Sequence, residues 1–136
     1  MNVFAISDLH LSGHAPKPMN IFGGHWDDHW EKIKQNWLST VSGGDVVLLP
    51  GDLSWAMRLD EAKTDIDEIC AMPGIKLIIK GNHDYWWGSL SQVEALLSND
   101  THVLQNNSRR FGDIVFAGTR GWTVPDSKQY DAAADE

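Results

Sequence analysis

One segment of the sequence, Lys76-Leu77-Ile78-Ile79-Lys80-Gly81-Asn82-His83-Asp84, combines a short apolar run with a polar end. An apolar run of this length, bounded by a glycine, is typical of a strand buried on both faces of a parallel sheet. An amide, an imidazole and a carboxylate follow the glycine directly, and these groups are common donors to metal ions in proteins. The segment therefore predicts a strand whose carboxyl end carries ligand-type side chains.

The same arrangement occurs twice upstream. Val3-Phe4-Ala5-Ile6 leads into Asp8 and His10, and Val46-Val47-Leu48-Leu49 leads into Gly51-Asp52. Ligands of open α/β sheets bind at the carboxyl ends of the strands, so these side chains are expected to form one polar site. Asp8 and His10 are two residues apart, and an extended backbone would place both on the same side. Each motif alone is also compatible with an ordinary polar turn, whereas the three together favour a ligand site.

The remaining periodicity predicts helices over 26–41, 60–72 and 89–98, and two late strands over 102–105 and 113–117 that are separated by a turn at 106–108. In the first helix an apolar stripe is expected to face the core: Trp26, Trp30, Ile33, Trp37, Leu38 and Val41. The acids of the second helix, including Asp65, are expected on its solvated face. His25 and His29 are interpreted as a solvated helix start, and the tail from Tyr130 as frayed. The order of elements indicates the α/β class.

The chain has 136 residues, 42% of them hydrophobic and 22% charged, which suits a single globular domain over 1–136. A net charge of −8 argues against nucleic acid as the partner without excluding it, because two bound divalent ions would bring the charge to about −4. The one cysteine excludes an internal disulfide and suits a reducing compartment. Neither a signal peptide nor a long apolar run is recognisable, so the sequence predicts a soluble, cytoplasmic protein without membrane association.

The three motifs, Asp8-x-His10, Gly51-Asp52 and Gly81-Asn82-His83-Asp84, resemble in order and context the signature of the calcineurin-like metallophosphoesterases. Longer segments are similar to a bacterial branch of predicted phosphohydrolases within that family: Gly51-Asp52-Leu53-Ser54-Trp55-Ala56-Met57, Asn82-His83-Asp84-Tyr85-Trp86-Trp87 and Gly118-Thr119-Arg120-Gly121-Trp122. The resemblance covers nearly the whole chain. It implies the N-terminal part of a four-layer α/β/β/α sandwich with a mostly parallel sheet and flanking helices.

The resemblance also implies a function and a set of roles. The family hydrolyses phosphoric ester bonds, in monoesters or diesters, with a dinuclear metal centre and a metal-bound hydroxide. Asp8 and His10 would bind the first ion, Asp52 would bridge both ions, and Asn82 would bind the second. His83 would be the catalytic residue beside the phosphate. Oxygen and imidazole donors of this kind suit two divalent ions of Mn, Fe or Zn, and the substrate would be a small-molecule phosphoester.

The chain departs from the family pattern at two places. Many relatives carry a second acid where this chain has Trp55, and that acid orients the catalytic histidine. Relatives also carry a later Gly-His and a Gly-His-x-His, which have no counterpart after His83. An incomplete domain is therefore expected to bind one ion at most, to turn over little substrate alone, and to self-associate through an unpaired sheet edge. Three interpretations stay open: a phosphoesterase, a metal- or phosphate-binding module without turnover, and an inactive fragment that needs a partner to complete its sheet.

Overall fold

Four parallel strands form the central sheet of the protein, whose computed structural model describes residues 1–121. They lie in sequence order across the sheet: β1 (Val3–Ala5), β2 (Val46–Leu49), β3 (Ile75–Ile78) and β4 (Thr101–Val103). Three helices connect them: α1 (His29–Thr40), α2 (Leu59–Cys70) and α3 (Leu90–Glu94). An antiparallel hairpin follows: β5 (Asn107–Phe111) and β6 (Ile114–Gly118). The predicted α/β class with a parallel sheet and flanking helices is confirmed.

The two faces of the sheet are covered by different elements. Val47 and Leu49 of β2 belong to the larger apolar cluster, which also contains buried side chains of α1 and α2. Val46 and Leu48, which alternate with them along the strand, pack with Phe111 and other residues of the hairpin. Continuous apolar strands are what burial on both faces requires. The described residues therefore form a helical layer, the parallel sheet and a hairpin layer, which is consistent with part of a four-layer sandwich.

Several predicted element boundaries differ from the structure. Helix α1 begins at His29 rather than at residue 26, because a separate 3₁₀ turn occupies Gly24–Trp26. Leu38, expected in the core stripe, is exposed, since it is rotated by about 100° from the buried Trp37. Helix α3 ends at Glu94, after which the backbone continues with i to i−3 hydrogen bonds at residues 96 and 97.

The hairpin begins within the predicted turn at 106–108. Asn107 and Ser108 are paired with Gly118 and Ala117, so the polar residues of this segment belong to a strand on the surface of the domain. The expectations for Trp122 and for the tail from Tyr130 concern residues outside the described part of the chain. Within residues 1–121, no helix combines the length and the apolarity that crossing a bilayer requires.

Candidate metal centre

The loops that follow β1 and β2 run side by side beyond the carboxyl edge of the sheet. The backbone N–H of Asp8 donates to the carbonyl oxygen of Gly51 at 3.0 Å, and the backbone N–H of His10 donates to the backbone carbonyl oxygen of Asp52 at 3.0 Å. A parallel bridge between Leu11 and Ser54 prolongs this pairing. The parallel pairing of the two strands thus continues into the loops and places Asp8 and His10 directly beside Asp52.

All three of these residues have a left-handed backbone conformation. The φ angles are 59° at Asp8, 45° at His10 and 53° at Asp52. Aspartate and histidine enter this region more readily than most residues, although it costs of the order of 1–2 kcal/mol per residue. Strained backbone concentrates at functional sites, because the surrounding structure has to hold it in place. The extended backbone assumed from the spacing of Asp8 and His10 is therefore wrong, although their side chains do approach each other.

The side chains of Asp8, His10 and Asp52 converge, with one ligand atom from each lying within 4.8 Å of the other two. His10 Nε2 is 3.7 Å from Asp8 Oδ1 and 3.9 Å from Asp52 Oδ2. Donors bound to one ion at about 2.1 Å lie about 3–3.5 Å apart, so the observed spacing is close to that of a metal shell. The side chain of Asp8 is 55% exposed, against 12% for His10 and 8% for Asp52. The group is therefore open to solvent on the side of Asp8.

The surroundings favour the metal-binding protonation states of two of these side chains. Burial lowers the pKa of His10 against the opposing influence of the Asp52 and Asp8 carboxylates, which favours the neutral imidazole. Burial alone would raise the pKa of Asp52, but hydrogen bonds from His83 hold this pKa below its usual value. Neutral imidazole and ionised carboxylate are the forms that bind cations. The residues present therefore fit a divalent metal ion.

The loop after β3 reaches the same centre through a contact between two glycines. A Cβ atom on Gly81 would lie 2.1 Å from Asp52 Oδ1 and 2.2 Å from the Asp52 backbone nitrogen, and one on Gly51 would lie 2.6 Å from Gly81 Cα. Gly51 also has a φ of +97°. Only glycine at both positions lets the two loops pack this closely.

We expect Gly81→Ala to lower the free energy of unfolding by about 3 kcal/mol, because the new methyl group would collide with the Asp52 backbone, which cannot move away like a flexible side chain. Gly43→Ala is the matched control, since nothing lies within 4 Å of the added atom there, and it should change stability by less than about 0.5 kcal/mol. Urea unfolding of both variants measures the difference. Equal stability of the two variants would show that the loops can separate without cost.

His83 contacts the centre through Asp52. Its backbone N–H donates to Asp52 Oδ1 at 2.9 Å, and its ring Nδ1 lies 2.9 Å from Asp52 Oδ2. The ring therefore turns Nε2 away from that carboxylate, and the side chain remains 41% exposed. The sequence comparison with the resembled family left the expected orienting partner of His83 open, because Trp55 stands at the position of the family's acid. In the structure the carboxylate that contacts the His83 ring is that of Asp52.

Asn82 lies between Gly81 and His83, which both contact Asp52. The residue is exposed and belongs to the loop after β3, at the same edge of the sheet as the other three predicted ligands. Its place on the loop agrees with the sequence-based expectation. Its assignment as a metal ligand stays a prediction.

Asp84 has a role that the sequence did not indicate. Its fully buried carboxylate accepts hydrogen bonds from the backbone N–H groups of Asp52 (2.8 Å), Leu53 (2.9 Å) and Gly81 (2.7 Å). The indole N–H of Trp86 also donates to it at 2.9 Å. Burial raises the pKa of Asp84, and these donors oppose that shift. Asp84 thus joins the loop after β2 to the loop after β3 through hydrogen bonds and holds the two loops of the centre together.

One further expectation about polar residues is wrong, and a second is wrong in part. Asp65 is buried rather than solvated, and accepts hydrogen bonds from the Gly13 N–H at 2.8 Å and the Ser54 hydroxyl at 2.5 Å. His29 is the first residue of α1, as expected, but it is half-buried rather than solvated. Its Nε2 lies 2.8 Å from the carbonyl oxygen of Leu9, the residue between the predicted ligands Asp8 and His10. Neither contact has a local sequence signal, because each partner is distant along the chain.

Comparison with known proteins gives the fold and the family of the chain. The chain is similar to a crystal structure of a protein of unknown function, AQ665 from Aquifex aeolicus, with 18% identity and a TM-score of 0.51. The match covers 94% of this chain and 65% of that structure, and at this identity it supports the fold alone. No curated protein matches the sequence. Residues 1–131 match the family described as calcineurin-like phosphoesterase. The chain therefore belongs to the calcineurin-like phosphoesterase family.

Proposed function

We propose that the protein is a metal-dependent hydrolase of phosphoric ester bonds. The observation that carries the proposal is the convergence of Asp8, His10 and Asp52 at the carboxyl edge of the sheet in a chain of this family. Two carboxylates and an imidazole are a donor set for Mn²⁺, Fe or Zn²⁺. The substrate proposed is a small-molecule phosphoester, since the net charge of −8 disfavours a polyanionic partner.

Each residue of the centre has a distinct role in this proposal. Asp8 and His10 would hold the first ion, and Asn82 would hold the second. Asp52 would bridge the two, because a carboxylate has two oxygens and Asp52 contacts both the loop after β1 and the loop after β3. The metal ions supply charge neutralisation at the phosphate and an activated water as nucleophile.

His83 is the proposed acid–base residue. Its Nδ1 contact with Asp52 fixes the ring plane and leaves Nε2 to donate a proton or a hydrogen bond to the substrate. The side chain of His83 is 41% exposed and that of Asp8 is 55% exposed, which leaves both accessible to a substrate. A residue that is oriented by a carboxylate and open to solvent can exchange its proton between turnovers.

A binding module without turnover is the second candidate function. Among residues 1–121, Asp8, His10 and Asp52 are the one group of three His, Cys, Asp or Glu side chains whose ligand atoms converge. This group supplies three donors to one ion, while a second ion would depend on Asp52 and Asn82. The chain spans 65% of the length of the similar crystal structure, so activity of the chain by itself is part of the proposal.

Isothermal titration with Mn²⁺ tests the metal assignment. We expect Asp52→Asn to lose more affinity than His10→Ala, because Asp52 would bridge both ions, and each loss should exceed the ~10–100-fold typical of an outer-shell partner. Asp60→Asn, which changes an exposed carboxylate on α2, is the control and should bind like the wild type. Equal losses for Asp52→Asn and His10→Ala would contradict the bridging role.

Hydrolysis of para-nitrophenyl phosphate and of bis-para-nitrophenyl phosphate then separates the two candidate functions. The phosphoesterase proposal expects Mn²⁺-dependent release of nitrophenol that is lost in Asp52→Asn. Stoichiometric Mn²⁺ binding without release would favour the binding module. Absence of Mn²⁺ binding in the wild-type chain would contradict both candidate functions.

A further inference from the structure

Trp55 lies directly against the predicted ligand His10. The two rings are stacked, with centroids 4.6 Å apart and an angle of 22° between their planes. Trp55 is itself held at two points, because its backbone N–H donates to the Leu11 carbonyl oxygen at 2.8 Å and its indole N–H points to the sulfur of Met19 at 3.4 Å. The indole is therefore a fixed surface on which the imidazole rests.

Lys17 contacts the same indole. Its Nζ lies 4.2 Å from the Trp55 ring centroid, in the geometry of a cation–π interaction. The backbone N–H of Lys17 donates to the Ser12 hydroxyl at 2.9 Å, which ties this part of the loop in place. The His83 ring also contacts the indole, with centroids 5.5 Å apart, so three side chains occupy it and leave little of its face for stacking on a substrate. The role of the indole therefore lies in its effect on the side chains that it contacts.

In the described part of the chain, no hydrogen bond fixes the orientation of the His10 ring, and its other ring contact is an edge contact with His83, with centroids 6.1 Å apart. A histidine that binds a metal usually donates its second ring N–H to a carboxylate or a carbonyl group, which fixes the plane of the ring. Among residues 1–121 no hydrogen bond is formed by either ring nitrogen of His10, since its contacts to the carboxylates of Asp8 and Asp52 are 3.7 and 3.9 Å long. The stacked indole is the closer of the two ring contacts of His10 and lies flat against the imidazole, so it restricts rotation of the ring.

We propose that Trp55 is a positioning residue for the metal centre, which holds the imidazole plane of His10 so that Nε2 faces Asp8 and Asp52. The inference rests on the proposed metal binding. A nitrogen lone pair lies in the plane of its ring, so an ion between the three side chains requires one particular rotation of that plane. Stacking on a flat, immobile ring selects this rotation and thereby replaces the usual outer-shell hydrogen bond.

Three substitutions of Trp55 test the proposal, with Mn²⁺ as the probe in isothermal titration. Trp55→Phe keeps an aromatic face and should bind Mn²⁺ within about threefold of the wild type. Trp55→Leu keeps apolar bulk without a flat ring and should bind at least tenfold more weakly, as Trp55→Ala should, because loss of an outer-shell partner costs about 10–100-fold. Tyr85→Ala is the control and should bind Mn²⁺ like the wild type, since this exposed ring contacts His83 and not His10.

A second measurement on the metal-free chain separates the positioning role from metal binding. In proton NMR, the ring current of the aromatic residue at position 55 should shift the ring signals of His10 upfield in the wild type and in Trp55→Phe. This shift should be lost in Trp55→Leu. Far-UV circular dichroism establishes whether each variant is folded. If Trp55→Ala does not fold, the comparison of Trp55→Phe with Trp55→Leu tests the proposal. Equal Mn²⁺ affinity in Trp55→Phe and Trp55→Leu would overturn the proposal. A wild-type chain that shows the ring-current shift but binds no Mn²⁺ would instead overturn the proposed function.

Discussion

Asp84→Asn should lower the free energy of unfolding by about 3–5 kcal/mol, the cost typical of disrupting a buried, hydrogen-bonded charge. The Asp84 carboxylate accepts from the backbone N–H groups of Asp52, Leu53 and Gly81 and from the Trp86 indole. An asparagine replaces one acceptor oxygen with an NH₂ donor, which would face backbone donors in a site without access to water. The loops that carry the predicted ligands would then separate, so Mn²⁺ affinity should fall together with stability.

Asp113→Asn is the matched control for this substitution. Asp113 is exposed in the turn between β5 and β6, so exchange of its carboxylate for an amide should change the free energy of unfolding by less than about 0.5 kcal/mol. Urea unfolding followed by tryptophan fluorescence measures both variants under the same conditions. A loss below about 1 kcal/mol for Asp84→Asn would show that Asp84 is not needed to hold the loops together.

His83→Ala should lower the turnover of the proposed phosphoesterase by about 10²–10⁴-fold, and should lower Mn²⁺ affinity by no more than the ~10–100-fold typical of an outer-shell partner. The reason is that His83 contacts the oxygens of Asp52 rather than belonging to the group of converging ligand atoms. The loss should be smaller for an aryl phosphoester than for an alkyl one, because a nitrophenolate leaves without needing a proton. Rates on the two ester types, measured beside a Mn²⁺ titration, therefore separate proton donation from metal binding.

His14→Ala is the control for this experiment. His14 is a largely exposed histidine, 3.7 Å from Glu61, so its removal should change neither the rate nor the Mn²⁺ affinity. An equal loss for the aryl and alkyl esters in His83→Ala would exclude proton donation and would leave only stabilisation of the phosphate charge. A fall in Mn²⁺ affinity well beyond the ~10–100-fold of an outer-shell partner would instead make His83 a ligand.

The parallel sheet and the placement of Asp8, His10 and Asp52 could be predicted from the sequence because they depend on local patterns. Continuous apolar strands separated by helical periodicity require parallel pairing, and parallel strands bring their carboxyl ends to one edge. Residues that directly follow such strands must therefore meet, whatever the conformation of the loops. The approach of Asp8 to His10 illustrates this point, since the prediction assumed extended backbone and the structure has positive φ angles.

The supporting contacts of the centre depend on the tertiary structure. Asp84 accepts from the Asp52 N–H across 32 positions of the chain, and the Ser54 hydroxyl donates to Asp65 across 11. Whether a carboxylate on a loop or helix is solvated or clamps two loops depends on which donors the fold brings to it, and no local periodicity contains that information. The stacking of Trp55 on His10 is of the same kind, because a tryptophan in a loop contacts whatever the neighbouring loop presents. The sequence by itself thus determined the sheet and the ligand-bearing strand ends, and the packing of the chain determined what holds those ligands in place.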